Sequence, residues 1–299
     1  MTTAVTGASG FIGRRLIQRL RDEGHSIRVL GRHDPGDVQF FRWEAGGEPP
    51  PEALEGVDAI IHLAGEPVGQ RWNKAVKQRI RDSRVIGTRN LVSALSSLKN
   101  RPRTMIAASA VGYYGDRGEE LLTERSAPGS DFLASVCVDW EKESNRAAEF
   151  GLRVVMLRSG IVLGAGGGAL KEMAGPFKAG FGGPIGSGRQ WVSWIHIDDE
   201  IALIMFALRH DSLSGPINAT APEPVRNAEF AQALGKALHR PSLIPTPGFA
   251  LKLMFGEMSE ALLASERVIP EAAMEAGFQF EHPELTEALA GIFQQARSL

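Results

Sequence analysis

Within its first thirteen residues the chain commits itself to one kind of turn. Thr6-Gly7-Ala8-Ser9-Gly10-Phe11-Ile12-Gly13 follows a β-rich run at 3–6 and opens an amphipathic stretch at 13–23. Glycine at these three places has a specific physical use. Gly7 permits a tight turn, Gly10 lets backbone N–H groups approach a bound group, and Gly13 lets helix and strand pack closely. The helix N-terminus adds its partial positive charge at the same spot. The ligand that suits this arrangement is a dinucleotide pyrophosphate, with Ser9, Phe11 and Ile12 carried on the same turn.

The rest of the first half continues the pattern. Short apolar runs at 3–6, 26–30, 59–63, 104–109 and 153–157 read as strands covered on both faces. Between them, 13–23, 74–98 and 132–150 read as helices. In the second, Val76, Ile80, Gly87, Leu91, Leu95 and Leu98 share one face. Alternating strand and helix implies right-handed crossovers and a Rossmann-like, doubly wound parallel sheet of the α/β class. After Gly160 the texture changes: eleven of the 34 glycines fall within 160–188, which reads as a long loop or a set of turns. Helical patterning returns at 199–208 and 227–238, with a strand-like run at 216–219. Three prolines, Pro241, Pro245 and Pro247, then open a tail of helical stretches. The expected layout is a dinucleotide-binding domain over 1–160, with later segments contributing up to about 240. A substrate-side loop, helices and return strand span 161–240, and a small, mainly helical lobe spans 241–299.

The end of the second strand predicts which dinucleotide. An NAD site usually carries a carboxylate there for the ribose hydroxyls. This chain reads Val29-Leu30-Gly31-Arg32-His33. Nothing in that segment repels a 2′-phosphate, and Arg32 offers a planar fork to pair with it. The expected cofactor is NADP(H).

Composition narrows the partners. Lys and Arg total 33 against 35 Asp and Glu, a net charge of −2, so no basic excess exists to neutralise nucleic-acid phosphates. The single cysteine, Cys137, cannot form an internal disulfide, and no metal site can rest on thiolates. The seven histidines show no metal-ligand spacing, so no metal is expected. No nucleophile elbow and no phosphate-binding P-loop of the Walker type occur. No signal-peptide pattern opens the chain, and no apolar run reaches bilayer length. A soluble, cytoplasmic protein without membrane contact is expected, with a homodimer open.

Several segments, in order, resemble the extended short-chain dehydrogenase/reductases. These are the TGASGFIG turn, Asp58-Ala-Ile-Ile-His-Leu-Ala-Gly65, Ser109-Ala-Val-Gly-Tyr-Tyr-Gly115, Leu157-Arg-Ser-Gly-Ile-Val-Leu-Gly164 and Trp194-Ile-His-Ile-Asp-Asp199. The tail, with Ser265-Glu-Arg-Val-Ile-Pro270 and Glu275-Ala-Gly-Phe278, resembles an epimerase-like branch with an extra C-terminal domain. The resemblance adds Leu63, Ala64 and Gly65 to the cofactor wall. It also implies a Ser/Thr, Tyr and Lys catalytic set. Counting from Gly115 and Glu141, those positions hold Ala110, Leu133 and Cys137.

Leucine has no transferable proton, and a positioned acid/base contributes ~10²–10⁴-fold in rate. The usual mechanism is therefore absent. Substitutes are Tyr113, Tyr114, Ser109 and His196, and Cys137 reads better as a small buried hydrophobe than as a nucleophile. His62 reads as a core histidine. Trp72, Arg158, Arg189, Trp191, Trp194 and His196 are expected on the substrate side and suit a small sugar-like or anionic ligand. The basic run Lys74, Lys77, Arg79, Arg81, Arg84 and Arg89 reads as a solvated face. Two functions stay open: an NADP(H)-binding, epimerase-like oxidoreductase with a non-standard proton donor, and a non-catalytic NADP(H)-binding redox sensor or scaffold.

Overall fold

The computed structural model describes residues 1–295, so the last four residues of the expected lobe lie outside the described residues. Seven strands form the central sheet: β1 (Thr2–Thr6), β2 (Ser26–Gly31), β3 (Gln39–Arg42), β4 (Ala59–His62), β5 (Thr104–Ala110), β6 (Arg153–Ser159) and β7 (Gly215–Ala219). Their order is β7-β6-β5-β4-β1-β2-β3, and every pair is parallel. This is the doubly wound α/β fold that the alternation implied. The order reverses between β1 and β4, which opens a crevice at their carboxyl ends.

Helices cover both faces. α1 (Phe11–Asp22) and α5 (Ile197–Arg209) lie on one side, where Leu16, Leu20, Leu203 and Ile204 pack on Val5, Ile61, Ile106 and Leu157. α2 (Lys74–Ser93) and α3 (Phe132–Asn145) lie on the other, over Ile60, Met105 and Met156. Side-chain caps start both of the latter helices. Asn73 Oδ1 accepts the Val76 N–H and Asp131 Oδ1 accepts the Ala134 N–H, each at 2.9 Å. Both end sooner than periodicity suggested, tightening into 3₁₀ turns at Ala94–Ser97 and Arg146–Phe150.

The glycine-rich stretch is more ordered than its composition indicated. It contains a short strand, Ile161–Leu163, and a helix, α4 (Gly168–Lys178). Leu170, Ala174 and Phe177 keep helical spacing and are buried. They join Leu163, Trp194, Phe230 and Leu289 in a separate core that also takes in α6 (Asn227–Leu238) and the final helix, Leu285–Gln295. Three two-stranded ribbons add to the central sheet, two of them within this half. One of them pairs Arg267–Val268 of the tail with Leu121–Leu122, just past β5.

Candidate cofactor and active site

The glycine turn has the shape that its residue types implied. Gly7 sits at φ +72°, and a Cβ there would come within 2.7 Å of the Leu63 backbone. At Gly13 a Cβ would stand 2.1 Å from the Gly7 oxygen, so helix and turn touch through bare backbone. Gly10 caps α1 without a side-chain acceptor, and no acid occupies the first turn. The leading N–H groups of α1 are thus left for a ligand. A cavity of about 300 Å³ opens against them, lined by Gly7, Gly10, Phe11, Ile12, Gly13 and Leu63. Its far wall comes from Ala108 on β5, Leu157 and Ser159 on β6, and Glu200 on α5. Bare backbone at the switch point fits a dinucleotide pyrophosphate.

The other expected cofactor residues, Ser9, Arg32, Ala64 and Gly65, are not among those that line this cavity. Ser9 is exposed on the turn, and Arg32 is exposed just past β2 with no hydrogen bond or ion pair among the described residues. The Ala64 N–H donates to Thr6 Oγ1 at 3.2 Å, and Gly65 lies against the Arg84 guanidinium. His62 is fully buried between Thr6 Oγ1 (2.7 Å) and Thr88 Oγ1 (2.9 Å), a core histidine whose burial lowers its pKa to about 4.

Ala110, Leu133 and Cys137 come together at the end of β5. Leu133 lies against Gly112, and the Cys137 thiol lies against the Ala110 backbone. Burial pushes that thiol up to about 12, so it is no thiolate nucleophile at neutral pH. The tail brings a residue to this place that motif reasoning passed over. Glu266 is half-buried, and its carboxyl has no hydrogen-bond partner among the described residues. Its backbone is clamped: its N–H donates to Trp191 O at 3.2 Å, and Ser193 Oγ donates to its carbonyl at 2.7 Å. Burial pushes the carboxyl up to about 8, with Asp131 and Asp116 adding repulsion, and it lies within electrostatic reach of Cys137. Its proton is therefore held to a higher pH than that of an exposed carboxyl. The ribbon pairing that carries it there spans more than a hundred residues of sequence, so no local spacing could reveal it.

Three of the expected substitutes are engaged elsewhere. Ser109 Oγ donates to Glu141 Oε1 at 2.7 Å. Arg158 is 3% exposed and grips both Glu141 oxygens at 2.8 Å. It also donates to the Tyr114 hydroxyl, which in turn donates to Asn218 Oδ1 at 2.7 Å. Burial pushes Tyr114 up to about 12. Tyr113 is half-buried, its ring 3.5 Å beneath the Arg158 guanidinium. His196 caps α5 by accepting the Asp198 N–H and lies against the His282 ring at 3.9 Å. Burial and the His282 charge lower its pKa to about 4. His196, Asp198 and His282 offer ligand atoms within 4.8 Å of one another, a trio invisible to sequence spacing. Arg15 holds the Asp198 carboxylate through two hydrogen bonds, at 3.0 and 2.8 Å.

The aromatic residues expected on the substrate side divide. Trp194 is fully buried in the second core, beside Leu163, Phe230 and Leu289. Trp72 packs edge-on to Phe132, beside Leu133. Trp191 is half-buried between Arg226 and Arg267, and Arg189 is exposed beside it. The basic run on α2 is largely solvent-exposed, with most of its charges in surface ion pairs. Arg81 pairs with Asp139, Arg89 with Glu143, Arg79 with Glu66 and Lys77 with Glu257. Lys74 has no partner among the described residues. It stands with Lys77, Arg81 and Phe132 on a second cavity of about 330 Å³.

A doubly wound sheet with a bare glycine turn at its switch point defines a dinucleotide-binding protein. The chain belongs to the NAD dependent epimerase/dehydratase family, which residues 3–219 match, and residues 246–292 match a domain of unknown function, DUF1731. It is 43% identical to the epimerase family protein SDR39U1 homolog, chloroplastic, of Arabidopsis thaliana, over 98% of this chain and 87% of that protein. It is 37% identical to the Bacillus subtilis epimerase family protein YfhF, over all of both chains. The crystal structure of human epimerase family protein SDR39U1 (isoform 2) with NADPH superposes with a TM-score of 0.89 at 34% identity, covering all of both chains. Among the described residues no helix is long and apolar enough to cross a membrane. One relative is chloroplastic by name, so membership of the family does not fix the compartment.

Proposed function

We propose that this protein is an NADP(H)-dependent oxidoreductase acting on a small, anionic or sugar-like molecule, with the Glu266 carboxyl as its proton donor. The observation that carries this reading is the cavity at the switch point, walled by bare backbone at the α1 N-terminus, with unpartnered Arg32 exposed beyond β2. The NADPH named for the human relative supports it. Bound there, the dinucleotide supplies the hydride chemistry that no side chain can. The chain's own groups do the rest. The α1 N–H groups meet the pyrophosphate, and Arg32 meets the 2′-phosphate. Glu266 holds a proton beside Leu133 and Cys137 for a substrate oxygen, and Lys74 attracts an anionic substrate group from the second cavity.

Screening NADPH oxidation against carbonyl compounds and sugar nucleotides tests the reading. A substrate should emerge, and Glu266→Gln should slow its turnover ~10²–10⁴-fold with NADPH affinity unchanged. Loss of turnover in Tyr113→Phe with Glu266→Gln fully active would move the proton to Tyr113. A second reading, a non-catalytic NADP(H)-binding sensor or scaffold, is favoured by one observation: apolar Leu133 where the family acid/base stands. Tight NADPH binding with no turnover across the panel is its signature.

A further inference from the structure

Arg84 is the arginine of the α2 run that pairs with no carboxylate among the described residues. It is half-buried where α2 packs against α3. Its Nη1 donates to Glu66 O at 2.9 Å and to Ile80 O at 3.2 Å, and the guanidinium lies over the Trp140 ring at 5.1 Å. The Glu66 carboxylate, within electrostatic reach, pairs with Arg79 instead. Nε and Nη2 have no partner among the described residues, and neither is sealed from solvent. These two nitrogens share one edge of the planar guanidinium. Their N–H groups form a free fork of the kind that meets two oxygens of a phosphate or carboxylate. Keeping a half-buried cation unpaired costs free energy, which a bound anion would recover.

The surroundings of the fork say which anion reaches it. A Cβ on Gly65 would come within 3.1 Å of Arg84 Cζ, so the guanidinium stands against the segment that leaves β4. Leu63 opens that segment. Its backbone lies against Gly7, and it lines the cavity at the α1 N-terminus. Cys137, which meets the end of β5, is within electrostatic reach of Arg84. β4 and β5 lie on the opposite side of β1 from β2. A dinucleotide places its adenosine ribose at the end of β2, so its other half runs toward β4 and β5. We propose that Arg84 holds the nicotinamide half of the cofactor, its Nε–Nη2 fork donating to the phosphate of that half while the α1 N-terminus meets the pyrophosphate from the glycine turn. The proposal rests on the NADP(H) reading above.

The test titrates NADPH and adenosine 2′,5′-bisphosphate, which is the adenosine half of the cofactor alone, into the full chain. Arg84→Met keeps an apolar stem beside Trp140 and removes the fork. It should weaken NADPH binding about tenfold and leave adenosine 2′,5′-bisphosphate binding unchanged. Arg84→Lys keeps the charge, loses the fork and should recover part of that loss. Unchanged NADPH affinity in Arg84→Met would overturn the inference. So would an equal loss of adenosine 2′,5′-bisphosphate affinity, which would make Arg84 a support of the fold, or an Arg84→Lys variant that binds NADPH no tighter than Arg84→Met. Should Arg84→Met not fold, Arg84→Lys decides alone. A loss confined to NADPH supports the fork, and wild-type affinity for both ligands overturns it. If folded wild type binds neither ligand, the cofactor reading falls and this inference with it.

Discussion

Arg32 stands exposed past β2, without a protein partner among the described residues. Its proposed work is with the cofactor, so Arg32→Ala should weaken NADPH binding about tenfold and leave NADH binding unchanged, by fluorescence titration. Glu200 behaves in the opposite way, because it is buried and resists its own charge. Its carboxyl titrates near 4.5 unfolded and is pushed up to about 7 when folded. The stability it contributes is full below its unfolded pKa and is lost as pH rises through about 7, a swing of up to about 3 kcal/mol. Glu200→Gln should therefore raise the melting temperature over wild type at pH 8 and change it little at pH 5, by calorimetry. Single residues were legible in the sequence only where their role is local. Gly7, Gly10 and Gly13 could be read from type and spacing, because a turn geometry forbids a Cβ. Glu200 and Glu266 could not, because a carboxyl becomes chemically special only through what surrounds it.

At the scale of elements, the strand–turn–helix unit over β1 and α1 is the least tolerant of change. A Cβ at Gly13 would stand 2.1 Å from the Gly7 oxygen, and backbone cannot move aside there as a side chain would. Gly13→Ala should cost about 2–4 kcal/mol in urea unfolding and abolish NADPH binding, whereas Gly46→Ala, with open space around it, should leave both nearly unchanged. α3 shows what periodicity can and cannot settle. Its helical span from Phe132 was readable in sequence. That Leu133 and Cys137 would meet the end of β5 followed only from a family register, and that Glu266 would join them followed from nothing local. α4 was masked by composition. The spacing of Leu170, Ala174 and Phe177 is helical, but glycines at both flanks drown the signal until a partner core exists to bury that face.

Across the whole molecule, one polar network fastens the tail to the sheet. Glu141 on α3, Arg158 on β6, Tyr114 past β5 and Asn218 on β7 form a continuous buried chain, which ends where Asn218 Nδ2 donates to Ile269 O at 2.9 Å. Arg158→Ala would strand the Glu141 carboxylate and should cost about 3–5 kcal/mol. The tail should then become more sensitive to limited proteolysis around residues 264–270, with NADPH affinity affected less. The sequence by itself determined the doubly wound architecture and the glycine turn. Both follow from short-range rules: strand and helix periods and the missing Cβ. Tertiary structure decided the rest. It buried Tyr114, Arg158 and Trp194, paired most of the basic helix with acids, and carried Glu266 within electrostatic reach of Cys137. Those outcomes depend on burial and on contacts between residues distant in the chain, and the free energy of a charge is set by its surroundings, not by its letter in the sequence.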